Sequence, residues 1–353
     1  MELFKEGSIR FYAENQQLKS AHVFYNPNRE FDRSLNVLFI KSKSKAMLSG
    51  LEMFSGSGIR GMRLCSETGM FKSFIFNDIK TSNIISKNIS LNKSLLNCDS
   101  ISVSAENSKY YKAHNIYDYI DIDPFGSPAP YLNTAFELLG KDSILAISAT
   151  DTAALLGSAQ RACMRKYMAR SLKTSYSNEL GIRILIKYVS EIAESHSLHI
   201  KPLIFDFNGN FIRTYFDFSS RTKGKVGYAY QCIKCPSRTI EPKDKCDFCG
   251  SKMTKIGPLW LGKIYDVNTV KKMLNYLDKN EKKFNQNTDA LKEYLSALYK
   301  EMNVFSYYTT SEIASFFKRP EEKINKFKNR TVLSSKGFKT NLSFKELASN
   351  LGY

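Results

Sequence analysis

Between residues 48 and 148 the chain alternates short apolar runs with longer stretches whose apolar positions recur at helical spacing. The runs GLEMF (50–54), SFIFN (73–77), ISVSA (101–105), YDYIDI (117–122) and SILAIS (143–148) have the length and composition of strands. In the stretch SNIISKNISLNKSLL, Ile84, Ile85, Ile89, Leu91 and Leu95 approximate one helical face. Strands alternating with helices predict an α/β fold, a parallel sheet covered by helices.

After a long helical stretch ending in LGIRILIKYVSEIAESH the pattern changes. LHIKPLIFDF and FIRTYFDFSS read as two strands joined by NGN, where Asn208-Gly209 is expected to supply the positive φ angles of a tight hairpin. An α/β sheet that closes with an antiparallel hairpin is the arrangement expected of a class I, Rossmann-like methyltransferase domain. The polar, basic stretch SSRTKGKVG (219–227) reads as a linker. It divides the chain into a catalytic domain at 1–220 and a smaller α+β domain at 221–353. The latter holds a cysteine-rich knuckle at 228–252, helices from about Asn268 to Glu301, and a winged-helix-like pattern at 305–353. A length of 353 residues, 42% of them hydrophobic, suffices for two cores.

Charge adds a partner. Lys and Arg number 52 against 34 Asp and Glu, and +13 of the net +18 lies after residue 220. A polyanion such as nucleic acid is the expected ligand, with the C-terminal part as its electrostatic handle. No apolar run approaches the ~18 residues of a membrane span, so a cytoplasmic protein is expected.

Four of the seven cysteines fall in two C-x-x-C pairs ten residues apart: Cys232, Cys235, Cys246 and Cys249. Each pair forms one knuckle, and two knuckles complete a tetrahedron of thiolates around zinc. Four protein ligands leave no open position, so the role is structural. Cys65, Cys98 and Cys163 are isolated and read as buried apolar thiols. His22, His114, His196 and His199 show no metal or triad spacing.

EMFSGSGIRGMR (52–63) sets Gly56, Gly58 and Gly61 in a G-x-G-x-x-G frame between a strand and a helix. Backbone can approach a ligand closely there, and the helix N-terminus adds a positive dipole. Asp78 ends the next strand and can accept both hydroxyl protons of a ribose. NAD and S-adenosylmethionine satisfy these two elements equally.

The fourth strand decides between them, because it ends in DIDPFGSP. An acid or amide, a proline and an aromatic ring mark amino-group methyltransferases acting on planar substrates. The exocyclic amine of a nucleobase is a poor nucleophile, since its lone pair is delocalised into the ring. Asp123 can accept one N–H and take the proton as charge develops, while the Pro124 carbonyl accepts at the other site. Phe125 stacks on the base, and Gly126 avoids crowding it. The basic segment CMRKYMARSLKTSY can reach phosphates at the rim.

Seven stretches appear in one order: VFYNPNREFDRSLNV, FSGSGIRGMR, DIDPFGSP, SATDTAALLGS, RACMRKY, NELGIRILI and GPLWLGKIYD. On these the chain resembles the tRNA guanine-26 N2-dimethyltransferase family. The resemblance implies transfer of one or two methyl groups from S-adenosylmethionine to the N2 amine of guanine 26 in tRNA. It also implies a class I domain followed by a C-terminal domain of the family's own. Carried over by motif, Arg33 of FDRSLN and Arg63 of GIRGMR, with Arg60 as competitor, look like contacts to the methionine end of the cofactor. Asp78 looks like the ribose ligand and Asp123 the acceptor for the amine. Where the family often has Asp-Ala beside the adenine, this chain has VSAENS, which places Ala105 and Glu106 there. Competing readings are another nucleic-acid amino-methyltransferase, a nicotinamide-dependent oxidoreductase, and a non-enzymatic zinc-ribbon RNA-binding protein. No obligatory protein partner is inferred.

Overall fold

The computed structural model describes residues 1–14, 23, 25–43, 48–112, 115–218, 223–281 and 287–352. His22, His114 and residues 219–222 of the expected linker lie outside them. An antiparallel hairpin of β1 (Glu2–Glu6) and β2 (Ile9–Ala13) precedes α1 (Glu30–Lys41). Then β3 (Leu48–Glu52), α2 (Ile59–Glu67), β4 (Phe71–Asn77), α3 (Ser82–Leu91), β5 (Ser100–Ser104), β6 (Tyr117–Ile122), α4 (Leu132–Leu138) and β7 (Leu139–Ala149) follow. Three helices, α5 (Thr152–Leu155), α6 (Gln160–Tyr167) and α7 (Ser177–Ser195), lead to β8 (Lys201–Phe207) and β9 (Ile212–Asp217).

The seven-stranded sheet has the order β5-β4-β3-β6-β7-β9-β8. Pairings β5-β4, β4-β3, β3-β6 and β6-β7 are parallel, whereas the four-residue β8-β9 connection is too short for anything but a hairpin. Leu51, Phe76, Ile120, Ile122, Leu145 and Ile147 are fully buried, because a sheet covered on both faces needs near-continuous apolar runs. The order reverses at β3. Ligands of such sheets bind beyond the carboxyl ends of the strands flanking that point.

Three expectations change in detail. On α3 and the turn after it, Leu91 and Leu95 are exposed, while Asn88 and Asn92 are buried. Both asparagines bond the open edge of β2: Asn88 with Tyr12 N and O (2.7 and 3.0 Å), Asn92 with Arg10 N and O (3.0 and 2.6 Å). Polar side chains complete a strand edge here, which apolar periodicity does not reveal. In the hairpin, Gly209 has φ 88° and Asn208 does not have positive φ; the Asn208 side chain instead accepts from Asn210 N at 3.1 Å. Finally, Cys65 and Cys163 are buried but Cys98 is only half-buried.

Further along lie β10 (Val226–Cys232), β11 (Arg238–Thr239), β12 (Met253–Trp260), α8 (Val267–Asn280), α9 (Thr288–Lys300), β13 (Tyr308–Thr309), α10 (Thr310–Phe317), β14 (Gly337–Phe338) and α11 (Phe344–Asn350). The described part of 305–353 therefore holds two α-helices and one pair of two-residue strands. Both helices start in capping boxes, Thr309 with Glu312 and Ser343 with Glu346.

The chain forms two compact units, each discontinuous in sequence. One comprises Met1–Ala149, Tyr215–Ser219 and Val267–Leu295; the other Thr150–Thr214, Ser220–Asp266 and Ser296–Tyr353. A single cut near residue 220 does not describe them. Among the described residues no helix is long and apolar enough to cross a membrane.

Candidate active site

The site is assembled in the first unit, at the carboxyl ends of β3, β4, β6 and β7. After β3 the chain turns through Gly56 (φ 54°) and Gly58 (φ 79°), which caps α2. Gly61 is needed for a different reason. A Cβ there would lie 2.4 Å from the Phe76 ring and 2.8 Å from Glu52 Oε2, so helix and sheet pack as closely as they do only with glycine. Asp78, just past β4, accepts from Gly56 N at 3.0 Å and from Lys80 N at 2.9 Å. It thus stands against the glycine turn.

Asn77, fully buried, organises the neighbouring loop. Its side chain bonds both Glu106 N (2.9 Å) and Glu106 O (3.1 Å), and also Met53 O (3.2 Å). Ala105 and Glu106 are thereby held beside the end of β3, with the Glu106 carboxylate accepting from Ser104 at 2.9 Å.

Asp123 lies one residue beyond β6 and is clasped by two arginines. Arg29 Nη1 donates to Oδ1 at 2.7 Å and Arg60 Nη2 to Oδ2 at 3.1 Å. Asp32 on α1 holds both guanidinium groups from behind, at 2.9 Å to Arg29 and 2.7 Å to Arg60. Arg29 also reaches Ser148 Oγ, at the end of β7, at 3.0 Å. Burial opposes the Arg29 charge, but Asp123 and Asp32 outweigh it and raise its affinity for the proton. Pro124 is buried, whereas the Phe125 ring is 82% exposed and Gly126 turns with φ 97°. Tyr131 packs edge-on against Phe54 at 4.6 Å, tying the segment after Phe125 back to the glycine turn.

Glu52, at the end of β3, is fully buried below this cluster. Burial and then the charge of Asp121 push its carboxyl well above the usual range. Its Oε2 has no hydrogen-bond partner among the described residues. A protonated or ligand-paired acid is the physical consequence.

Arg33 and Arg63 sit elsewhere than Arg60. Both bond Glu6 of the N-terminal hairpin, at 2.7 and 2.8 Å, and Arg63 adds Glu67 at 2.9 Å. Burial would raise the Glu6 carboxyl, but the two guanidinium groups hold it below its ordinary value. Of the three arginines read from the motifs, the structure brings only Arg60 to Asp123.

In the second unit the two knuckles converge. The Sγ atoms of Cys232, Cys235, Cys246 and Cys249 lie within 4.8 Å of one another, with Cys232–Cys249 and Cys235–Cys246 both at 3.5 Å. A tetrahedral zinc with Zn–S of about 2.3 Å requires S···S separations of about 3.8 Å, so the donor set fits the ion. Backbone N–H groups of Lys234 and Phe248 point at Cys232 and Cys246 Sγ, both at 3.4 Å, as expected for knuckle turns.

Residues 7–350 match the family model described as N2,N2-dimethylguanosine tRNA methyltransferase. The chain belongs to this family. It is 31% identical, over 93% of its length and 89% of the relative's, to a tRNA (guanine(26)-N(2)/guanine(27)-N(2))-dimethyltransferase of Aquifex aeolicus. It is 30% identical, over 96% and 93% of the two chains, to a tRNA (guanine(26)-N(2))-dimethyltransferase of Methanobrevibacter smithii. The solved structure of Trm1 from Pyrococcus horikoshii with S-adenosyl-L-methionine superposes with a TM-score of 0.84, at 24% identity and 99% coverage of both chains. That match shows a shared fold, a class I methyltransferase sheet with a smaller C-terminal region.

Within this family framework, sequence reasoning overlooked five residues: Arg29, Asp32, Glu6, Glu52 and Asn77. Arg29 and Asp32 lie inside the quoted motif NPNREFDRSLN, and Glu52 opens the glycine motif. For the four charged residues the available signal was the density of charge in their segments, and the uncharged Asn77 gave none.

Proposed function

We propose that this protein transfers methyl groups from S-adenosylmethionine to the N2 amine of guanine 26 in tRNA, once or twice. The observation that carries this is Asp123-Pro124-Phe125 at the carboxyl end of β6, alongside the glycine turn and Asp78, in a chain of the dimethylguanosine methyltransferase family. The glycine turn, Asp78 and the orphaned Glu52 Oε2 fit the cofactor. When bound, it supplies an electrophilic methyl group on sulfur. Gly56 and Gly58 admit it closely, Asp78 takes the ribose, the Ala105–Glu106 loop borders the adenine, and Arg60 lies toward the methionine end. Arg33 and Arg63 support that end through Glu6.

For the guanine, Phe125 offers an exposed face on which an extruded base can stack, and extrusion costs a few kcal/mol. Asp123 accepts from Arg29 on one oxygen and from Arg60 on the other, which fixes the plane of the carboxylate. Asp123 and the Pro124 carbonyl then hold the N–H groups so that the lone pair faces the methyl. As the N–C bond would form at the expense of the cofactor's S–CH3 bond, leaving a neutral thioether, Asp123 would take the proton that the amine releases and pass it to solvent. After one transfer a single N–H remains, and Asp123 can still hold it.

The basic portion after about residue 220 is assigned the grip on tRNA, with zinc in the four-cysteine site fixing its fold. A tRNA substrate accords with a cytoplasmic location. The test is incubation of labelled S-adenosylmethionine with unmodified tRNA transcript and mapping of the product. Label on guanine 26 N2, lost in Asp123→Ala while cofactor still binds, is expected. Label on another atom or nucleotide, or full turnover in that variant, would overturn the assignment. Zinc near one ion per chain, lost in Cys246→Ser, is expected from elemental analysis; a metal-free, equally stable protein would remove it.

A further inference from the structure

The second unit contains a cleft of about 530 Å³ beside the first cysteine knuckle that the proposed chemistry does not use. Lys173, Lys234, Ile233, Ser315 and Phe316 are among its lining residues. Its volume lies in the range of about 300–1,000 Å³ typical of ligand pockets.

The walls of the cleft are braced against one another. Arg238 Nη2 and Ser175 Oγ each bond the Glu312 carboxylate at 2.6 Å, and Arg238 Nη1 bonds Ser175 at 3.2 Å. This joins the loop before α7, the strand after the knuckle and α10. Gln231 Nε2 ties down the knuckle by donating to the carbonyls of Cys232 (3.1 Å) and Cys235 (3.2 Å). A cleft held in this way is formed before anything binds.

Its chemistry has two parts. Lys173 and Lys234 are exposed and, among the described residues, have no acidic partner, whereas Glu312 is neutralised by Arg238. The two lysines thus bring positive charge to the mouth of the cleft. Beside the lysines, Ile233 at the tip of the knuckle is 58% exposed, and Phe316 is half-buried. An apolar tip flanked by unpaired cations suits a planar group carrying phosphate. The backbone of an RNA helix is convex and offers no base faces, so it would not fill a cleft. A nucleotide splayed from a loop or junction does both.

We propose that this cleft holds an unstacked nucleotide of the tRNA, distinct from the target guanine, as a second anchor that sets where on the tRNA the enzyme works. The inference rests on the reading of tRNA as substrate. Lys173 and Lys234 take the flanking phosphates, and Ile233 packs on the base.

The test measures tRNA affinity of the full-length protein across a salt series, with S-adenosylmethionine affinity as control. Lys173→Ala/Lys234→Ala is expected to weaken tRNA binding about tenfold and to reduce the salt slope by about 1.4, the value for two single-strand phosphate contacts. Ile233→Ser is expected to weaken binding several-fold with the slope unchanged. Cofactor binding stays constant in both. A fully paired RNA duplex of equal length is expected to bind all three proteins alike. Unchanged tRNA affinity in the lysine variant would overturn the proposal, as would an equal loss for tRNA and duplex. Methylation of tRNA by the unaltered protein reports separately on the substrate reading, and its absence would sink that reading first.

Discussion

Arg29→Ala is the sharpest test of how the site is held together. The substitution removes, among others, the bonds to Asp123 (2.7 Å), Asp32 (2.9 Å) and Ser148 (3.0 Å). Hydrogen bonds to charged groups contribute about 1.5–3 kcal/mol each, but the loss is not three times that. Arg60 still bonds both Asp32 and Asp123. The Arg29 and Asp123 side chains are 13% and 14% exposed, so water can enter the gap. A stability loss of about 1–2 kcal/mol follows. The larger effect falls on catalysis, because Asp123 loses its 2.7 Å tether to Arg29 and gains freedom. Misplacement on the order of 1 Å costs about a hundredfold in rate, and kcat should drop by about 10- to 100-fold. Single-turnover methylation and cofactor titration separate the two effects, with cofactor affinity expected to change less than threefold. Arg29→Lys should recover only part of the rate, since an ammonium lacks the planar fork that spans Asp123, Asp32 and Ser148. A folded Arg29→Ala protein with unaltered kcat would refute the reasoning, and so would full rescue by lysine.

Other outcomes follow from the same coordinates. Phe125→Ala should leave the melting temperature within a degree or two, because the ring is 82% exposed, while raising KM for tRNA and cutting kcat; equal kinetics would remove the stacking role. Gly61→Ala should cost about 1–3 kcal/mol in denaturant unfolding, since its methyl meets the Phe76, Phe74 and Glu52 side chains at 2.4–2.8 Å, and a neutral result would mean that helix and sheet can move apart. Glu179, buried in the second unit, bonds Arg183 (2.7 Å), Lys339 (3.0 Å) and Ser306 N (2.9 Å). Burial works against its charge, but Lys339 and Arg183 outweigh it and depress its pKa from 4.5 to about 2. A depressed carboxyl stabilises the fold fully above pH 4.5, and that contribution is lost as pH falls toward 2. Glu301 nearby is shifted upward, chiefly by burial, and acts with the opposite sign. Glu179→Gln should therefore cost about 3–5 kcal/mol at neutral pH and flatten the acid limb of stability; an unchanged limb would show that the network does not carry it.

Much of the first unit was legible in the chain because its signals are local. YDYIDI is a strand over the expected residues, and the other four parallel strands shift by only a few positions, since each is an apolar run closed by a turn. Gly56 and Gly58 announce positive φ wherever they fold. Asp123-Pro124-Phe125 is likewise contiguous, so its chemistry could be read without coordinates. Arg29 could not be read, because what defines it is a partner 94 residues away. Charge in the segment NPNREFDR has no sign of where it points. The same holds for Glu6, which meets Arg33 and Arg63 27 and 57 residues along the chain. The motifs put Arg33 and Arg63 ahead of Arg60, and only packing sets Arg60 beside Asp123 and the other two on Glu6.

The sequence by itself determined the kinds of chemistry available: a backbone turn for a nucleotide cofactor, an acid-proline-aromatic slot for an amine, and four thiols spaced for one metal ion. Those depend on residues a few positions apart, whose relative geometry the covalent chain dictates. Tertiary structure decided which charges neutralise one another, since Coulomb energy depends on distance and burial and neither is encoded in spacing along the chain. It also decided that Asn88 and Asn92 belong inside, at an open strand edge, and that the chain rejoins, at 215–219 and again at 267–295, a unit it left at residue 149.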